Sequence, residues 1–360
     1  MIPFERHRRT NDSIGVSLDF ARWRSDVPSG GNHYDDELTA FLRAQGLEVR
    51  EHLITGAWPV PKGDDRRRLA EALAGGRYWL VDNILGSAAP EVIGDAVARG
   101  RRVTLLLHYF PADDSALSAS DRQRLAETEA AAVRAASNVV VTSGWAASEV
   151  RRRYGRNDAA VAEPGIRPAD PAPGSLGDGR PPALLWLGRL TRDKDPHTFV
   201  DALEHVRDID WTAHLVGPIG TDPALAMDIR DRIATTGLSE RIHVPGAQRG
   251  ADLEALWAGT DLLVHTSRSE TYGMVVSEAL AHGIPAIVAD GTAAREAQRV
   301  GSTFPVGDAD ALADEVRTWL TDSQLRRRWR AAAIDARQLL PTWADTAHVV
   351  ARLVSRHADT

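Results

Sequence analysis

Short apolar runs of strand length alternate with amphipathic stretches of helical period, and this alternation stops once and then starts again. In the first half, SIGVSLDF (13–20), RYWLVDNIL (77–85), RRVTLLLHYF (101–110) and NVVVTS (138–143) read as strands. Between them DDELTAFLRAQG (35–46), APEVIGDAVARG (89–100) and SDRQRLAETEAAAVRAA (120–136) carry apolar residues at helical spacing. That order is the βαβ signature of a parallel, doubly wound sheet. IRPADPAPGSLGDGRPP (166–182), rich in Pro and Gly and without a period, reads as a linker. The second series runs through ALLWLG (183–188), WTAHLVG (211–217), RIHVPG (241–246), DLLVHT (261–266) and PAIVAD (285–290), with helical stretches between and a helical tail. The expected class is α/β: two Rossmann-like doubly wound domains facing each other across a cleft. In such sheets ligands bind beyond the carboxyl ends of the strands, so the residues just after each strand are the ones to read.

Composition narrows the function. A net charge of −7 argues against a general nucleic-acid binder. With no cysteine there is neither a disulfide nor a thiolate metal site. The opening MIPFERHRRTND lacks the apolar core of a signal peptide. No apolar run approaches the roughly 18 residues of a membrane span. A cytoplasmic location is the expectation. Of 43 basic residues only Lys62 and Lys194 are lysines, which draws attention to both.

Two stretches at carboxyl ends carry chemistry. In SRSETYGMVVSEALAHGIPAIVAD, Glu270 follows the strand DLLVHT, Tyr272-Gly273 enters a helix, and Glu278 lies about one turn into it. A glycine there permits close approach to a ligand, and the free amides of a helix start favour a negative group. A carboxylate beside phosphate-binding amides suits sugar or ribose hydroxyls instead. The alternative is a capping glutamate and a solvent-facing one. In WLGRLTRDKDP, Arg189 follows Gly188 directly and Lys194 comes just before a helix. Two cations there suit a diphosphate. The alternative is a pair of solvated cations, with Lys194 bound to Asp193 or Asp195. His108 ends the strand VTLLL and so should face the cleft, unless it is a structural histidine bonded to a loop carbonyl. Asp82, in WLVDN, has a similar placement, and Ser143 reads as a helix cap.

Together, Gly188-Arg189 with Lys194 and Glu270 with Glu278 resemble the GT-B glycosyltransferases, and within them the retaining family 4. The resemblance extends over VPSGGNHYDDELTAFLRAQGLEV (27–49), VVVTSGWAASEVRRRYG (139–155) with EPGI (163–166), the donor half from His243 to Asp290, and PTWADTAHVVARL (341–353). It implies an N-terminal acceptor domain over 1–167, a linker over 168–181, a donor domain over 182–341, and a closing helix over about 342–360 that crosses back. It also implies a nucleoside-diphosphate sugar, UDP- or GDP-linked, as donor, and a small molecule or glycoconjugate as acceptor. By the same resemblance Arg189 and Lys194 would hold the diphosphate, Glu270 sugar hydroxyls, and Glu278 the ribose. The backbone of Thr271, Tyr272, Gly273 and Met274 would contact sugar or distal phosphate. The peptide around His243–Gly246, His243 and Val244 included, would border the base, Gly30 and Gly31 would approach the donor phosphate across the cleft, and His108 would touch the sugar. No cofactor or metal is expected.

The chain departs from that family after PAIVAD, where GTAAREAQRVGSTF replaces the usual glycine-rich segment with its Pro-Glu pair. Arg66, Arg67 and Arg68 adjoin Asp64 and Asp65 and read as a solvated face. Three rival readings stand beside the transferase: a nucleotide-sugar 2-epimerase-like enzyme, a non-catalytic nucleotide-sugar-binding partner protein, and a dinucleotide oxidoreductase. The last wants G-x-G-x-x-G after the first strand, and SLDFARWRSDVPSGGN lacks it.

Overall fold

The computed structural model describes residues 17–24, 29–175, 179–220 and 222–355. Residues 13–16 of the expected first strand, 27–28 of the glycine loop and 356–360 of the closing helix lie outside the described residues. The strands are β1 (Ser17–Arg22), β2 (Glu48–Leu53), β3 (Tyr78–Asp82), β4 (Arg102–Leu107), β5 (Asn138–Val141) and β6 (Ala160–Val161). After the linker come β7 (Ala183–Leu187), β8 (Thr212–Val216), β9 (Ile242–Gly246), β10 (Leu262–His265), β11 (Ala286–Ala289) and β12 (Gly301–Phe304). They form two wholly parallel six-stranded sheets, ordered β2-β1-β3-β4-β5-β6 and β12-β11-β10-β7-β8-β9. β2, β6 and β12 were not expected as strands. β2 is a charged edge strand, EVREHL, and β6 and β12 are short and end their sheets, so none shows a continuous apolar run.

Period-two alternation divides each sheet into two packed faces. In the first domain Leu18, Phe20, Leu80, Leu106 and Val140 point to one face. Trp79, Val81, Leu105, Leu107 and Val141 point to the other. In the second domain Leu184, Trp186, Leu215 and Val264 oppose Leu185, Val216, Leu263 and Val288 in the same way. The helix Trp343–Ser355 does not join the second sheet. Its Trp343, Ala347, Val350 and Val354 lie in the first domain's core with Leu18, Tyr34, Leu38 and Leu42.

Both strand orders reverse once. In the first sheet the reversal falls between β1 and β3, in the second between β7 and β10. Each reversal splays the connections apart and leaves a crevice at the carboxyl ends. Arg22, Asp82 and His108 end or follow β1, β3 and β4, while Arg189 and Glu270 follow β7 and β10. The two crevices face each other.

Candidate active site

The helix expected over 35–46 begins earlier, at Gly30, and runs to Ala44. Ser29 caps it, its hydroxyl accepting from the Asn32 amide at 3.2 Å. Gly30 and Gly31 are therefore the first two helical residues, where amides have no intrahelical partner. A Cβ on Gly30 would stand 3.6 Å from Met274 Sδ of the second domain, so this helix start faces the helix Met274–Ala281 across the cleft. A Cβ on Gly31 would meet the His108 ring at 2.9 Å.

On the opposite wall, Glu270 lies between two cationic or polar partners. Lys194 Nζ donates to its Oε2 at 2.5 Å, and His265 Nε2 lies 3.4 Å from the same oxygen. Lys194 is thus paired with Glu270, not with Asp193 or Asp195. Asp195 instead binds Arg268 at 2.8 Å and caps the helix Pro196–His205 through Thr198. Thr266 fixes the register of the two loops: its hydroxyl lies 2.8 Å from the carbonyls of both Lys194 and Asp195, and it accepts from Trp186 Nε1. Burial by itself would raise the Glu270 carboxyl, but Lys194 and His265 outweigh it and hold the group well below the usual carboxylate range. Arg189 is exposed, and no acid pairs with its guanidinium among the described residues.

The helix Met274–Ala281 starts at Gly273, whose φ of 92° is left-handed, and no side chain caps it. A Cβ there would press on Ala294 at 3.2 Å, so the segment after β11 closes directly on this glycine. The Tyr272 ring is buried in the core, so only its backbone is available to a ligand. Glu278 is half-buried and forms no ion pair or hydrogen bond through its carboxyl among the described residues. Burial, with Glu254 adding to it, pushes this carboxyl up to about 7.

Thr271 does not lie open to a ligand. Its hydroxyl donates to the His108 carbonyl at 2.7 Å, and its own carbonyl accepts from Thr142 and Ser143 hydroxyls at 3.0 and 2.7 Å. Ser143 also caps the helix Gly144–Tyr154. The residue next to Glu270 is therefore bound to the strand ends of the first domain.

His243 is not brought to this wall. It sits near the amino end of β9, its ring 5.3 Å from that of His214. It lines a cavity of about 540 Å³ with Ala183 and Thr212, the first residues of β7 and β8. Pro245 and Gln248 line the same cavity. Val244 packs against the second domain's core. Sequence reading missed His265, Arg22 and Asp35. The last two sit under the cleft with His108, where Asp35, Asp82 and His108 bring one ligand-type atom each within 4.8 Å of the others. The Arg22 guanidinium, 3.6 Å from Asp35, already supplies positive charge there, which disfavours a dication. The arginines at 66–68 pair with Glu91, Asp64, Glu71 and Asp65, as a solvated face would.

Residues 173–336 match the family described as glycosyl transferases group 1. A D-inositol 3-phosphate glycosyltransferase of Jonesia denitrificans is 31% identical over 174 residues, covering 46% of this chain and 40% of the relative. A GDP-mannose-dependent alpha-mannosyltransferase of Mycobacterium tuberculosis is 39% identical over 113 residues, covering 31% and 30%. These alignments span less than half of the relatives' own length. The HepE protein of Anabaena, solved in complex with UDP and glucose, superimposes with a TM-score of 0.75 at 20% identity, over 95% of this chain and 100% of that one. The fold is GT-B. Among the described residues no helix is long and apolar enough to cross a membrane.

Proposed function

We propose that this chain is a group 1 glycosyltransferase that transfers a sugar from a nucleoside-diphosphate sugar, UDP- or GDP-linked, to a small-molecule or glycoconjugate acceptor. The observation that carries the reading is the Lys194–Glu270 pair at the β7/β10 switch point, beside unpaired Arg189 and the uncapped helix start at Gly273–Met274. The leaving nucleoside diphosphate gains negative charge as the glycosidic bond breaks. Arg189, Lys194 and the helix amides stabilise that charge more in the transition state than in the ground state, which is catalysis. Glu270, charged and fixed, accepts from sugar hydroxyls, and Glu278 accepts from the ribose. With this much positive potential supplied by the chain, no metal is required. Retention of configuration is the outcome the family implies. The named donors of two similar proteins, UDP in one complex and GDP-mannose in the other, support both bases without choosing.

The test is calorimetric titration of the full chain with UDP, GDP, ADP and TDP, without metal and then with magnesium. One nucleotide binding without metal, and losing affinity in Arg189→Ala, is the expected outcome. Binding of none would overturn the reading and bring the non-catalytic partner forward. Hydrolysis of the sugar donor without acceptor would favour the epimerase-like alternative.

A further inference from the structure

The floor of the first crevice holds two buried carboxylates, Asp35 and Asp82, around His108, and the transferase reading gives neither a role. His108 Nε2 lies 3.5 Å from Asp35 Oδ1 and 3.5 Å from Asp82 Oδ1. The side chains of Asp35 and Asp82 are 1% and 3% exposed, and that of His108 is 11% exposed. Neither oxygen of Asp35 receives a hydrogen bond, and neither does Nε2 find a partner within hydrogen-bonding geometry. Asp82 is held in place, its Oδ1 accepting from the Ile84 amide at 2.8 Å. Cε1 and Nδ1 are the ring atoms nearest Gly31, 2.9 and 3.0 Å from where its Cβ would stand with Nε2 farther at 3.8 Å, and the preceding Gly30 stands against Met274.

We propose that Asp35 and Asp82 are positioning residues for His108, clamping its Nε2–H edge so that Nδ1–H is presented past Gly31 toward the donor side of the cleft. The inference rests on the donor reading above for what Nδ1–H meets, but not for the clamp itself. The argument is one of charge. Two buried carboxylates that share a site cannot both stay ionised without a cation between them. Arg22 reaches Asp35 but is also bound to Asp36 at 2.8 Å and Glu51 at 3.0 Å, so it is shared among three acids. A lone pair on Nε2 would face two carboxylate oxygens and be repelled, so Nε2 carries hydrogen. The charged groups and rings around His108 are Asp35 and Tyr34 from the helix Gly30–Ala44, Asp82 from the end of β3, and Arg22 from β1. Burial alone would pull the imidazole down, and Arg22 adds to that. Asp82 and Asp35 outweigh both and raise it to about 9. The ring is then an imidazolium, both nitrogens are donors, and the free one is a fixed positive hydrogen-bond donor aimed at an anionic ligand.

The test needs no substrate. The full chain, labelled with ¹⁵N-histidine and freed of metal by chelator and dialysis, is followed by ¹H–¹⁵N correlation spectra from about pH 6 to about pH 10. His108 is assigned as the resonance missing from His108→Gln. The expected result is two protonated ring nitrogens on His108 at neutral pH and a midpoint well above the ordinary histidine value of 6.5. In Asp82→Asn and in Asp35→Asn the midpoint should fall by about 1–3 pH units, the usual effect of losing an adjacent opposite charge. A purely structural role for the aspartates would leave it unmoved. Should either variant fail to fold, the wild-type spectrum alone decides: a neutral ring at pH 7, or an unprotonated Nε2, overturns the proposal. So does a His108 resonance that shifts on addition of Zn²⁺ or Mn²⁺, which would put a cation where the proton is assigned. UDP and GDP are then added to the same sample. A clamped imidazolium with no nucleotide bound would remove the donor reading and leave the clamp. Bound nucleotide with an unmoved His108 signal would overturn the direction assigned to Nδ1.

Discussion

The hydroxyl of Thr271 donates to the carbonyl of His108 at 2.7 Å, across the cleft between the two domains. One residue thus ties the loop that carries Glu270 to the strand end that carries His108, and Thr142 and Ser143 reinforce it from β5's end. Thr271→Val keeps the shape and deletes the donor. The expected cost is about 1 kcal/mol, the ordinary net value of one hydrogen bond. It should appear in urea unfolding as a lower midpoint with an unchanged slope. An unchanged midpoint would mean that the closed arrangement is not the one populated in solution.

The Lys194–Glu270 pair makes an acid-sensitivity prediction. Glu270 ionises well below the unfolded value near 4.5, because Lys194 and His265 stabilise its charge. A group with a depressed folded-state pKa contributes stability above its unfolded pKa and loses it as pH falls through the folded one. Stability should therefore drop as pH is lowered below about 4.5. Glu270→Gln should flatten that part of the curve. At pH 7 the same variant strands Lys194, whose side chain is 21% exposed beside one 16% exposed. The loss should be about 3 kcal/mol, the low end for a broken buried pair. Thermal unfolding of both proteins from pH 3 to pH 8 measures both effects.

Much of this arrangement was legible in the chain. The alternating runs specified both sheets because fully buried parallel strands such as LLWL and VTLLL carry continuous apolar sequence. The placement of Arg189 and Lys194 between β7 and the next helix, of Glu270 in the loop after β10, and of Glu278 about one turn into the helix that follows could be read from the order of strands and helices. The edge strands β2 and β12 were not, since EVREHL and GSTF bury too little to show a pattern. Nor could spacing show that Lys194 would choose Glu270, 76 positions away, over its neighbours Asp193 and Asp195. That choice depends on β7 lying beside β10, a property of strand order. Asp35 was hidden for another reason: the helix starts at Gly30, five residues earlier than its apolar period indicates, which turns Asp35 inward toward His108.

Glu278 carries the opposite pH signature. Burial and Glu254 raise its carboxyl to about 7, so its ionised form is disfavoured in the folded chain. An acid whose folded pKa is raised makes the protein lose stability as pH rises from the unfolded value of about 4.5 to about 7, and the deficit then persists. Glu278→Gln should remove that deficit and raise the unfolding midpoint at pH 8 relative to pH 5. If the ribose reading is right, the same change should weaken UDP or GDP binding by about 10-fold or more, as one charge-assisted hydrogen bond is lost. A variant that gains stability and binds nucleotide as well as the parent would leave Glu278 with a structural role alone.

Gly30 and Gly31 separate packing from propensity. Alanine is the better helix former by about 1 kcal/mol in a helix interior, and at both positions propensity points toward a gain. Space at the two differs. Gly30→Ala would put its Cβ 3.6 Å from Met274 Sδ, ordinary contact, so that variant should be neutral or slightly stabilised. Gly31→Ala would put its Cβ 2.9 Å from Cε1 and 3.0 Å from Nδ1 of His108, a ring also confined by Asp35 and Asp82. The ring cannot retreat without giving up the carboxylates, so the clash should win and cost about 1–3 kcal/mol, the range for overpacking a filled site. A double variant that also carries His108→Ala removes the obstacle, and there the alanine at 31 should no longer be harmful. Urea unfolding of the four proteins gives the coupling energy directly. Additive effects, with Gly31→Ala equally costly in both backgrounds, would show that His108 does not stand over this helix start.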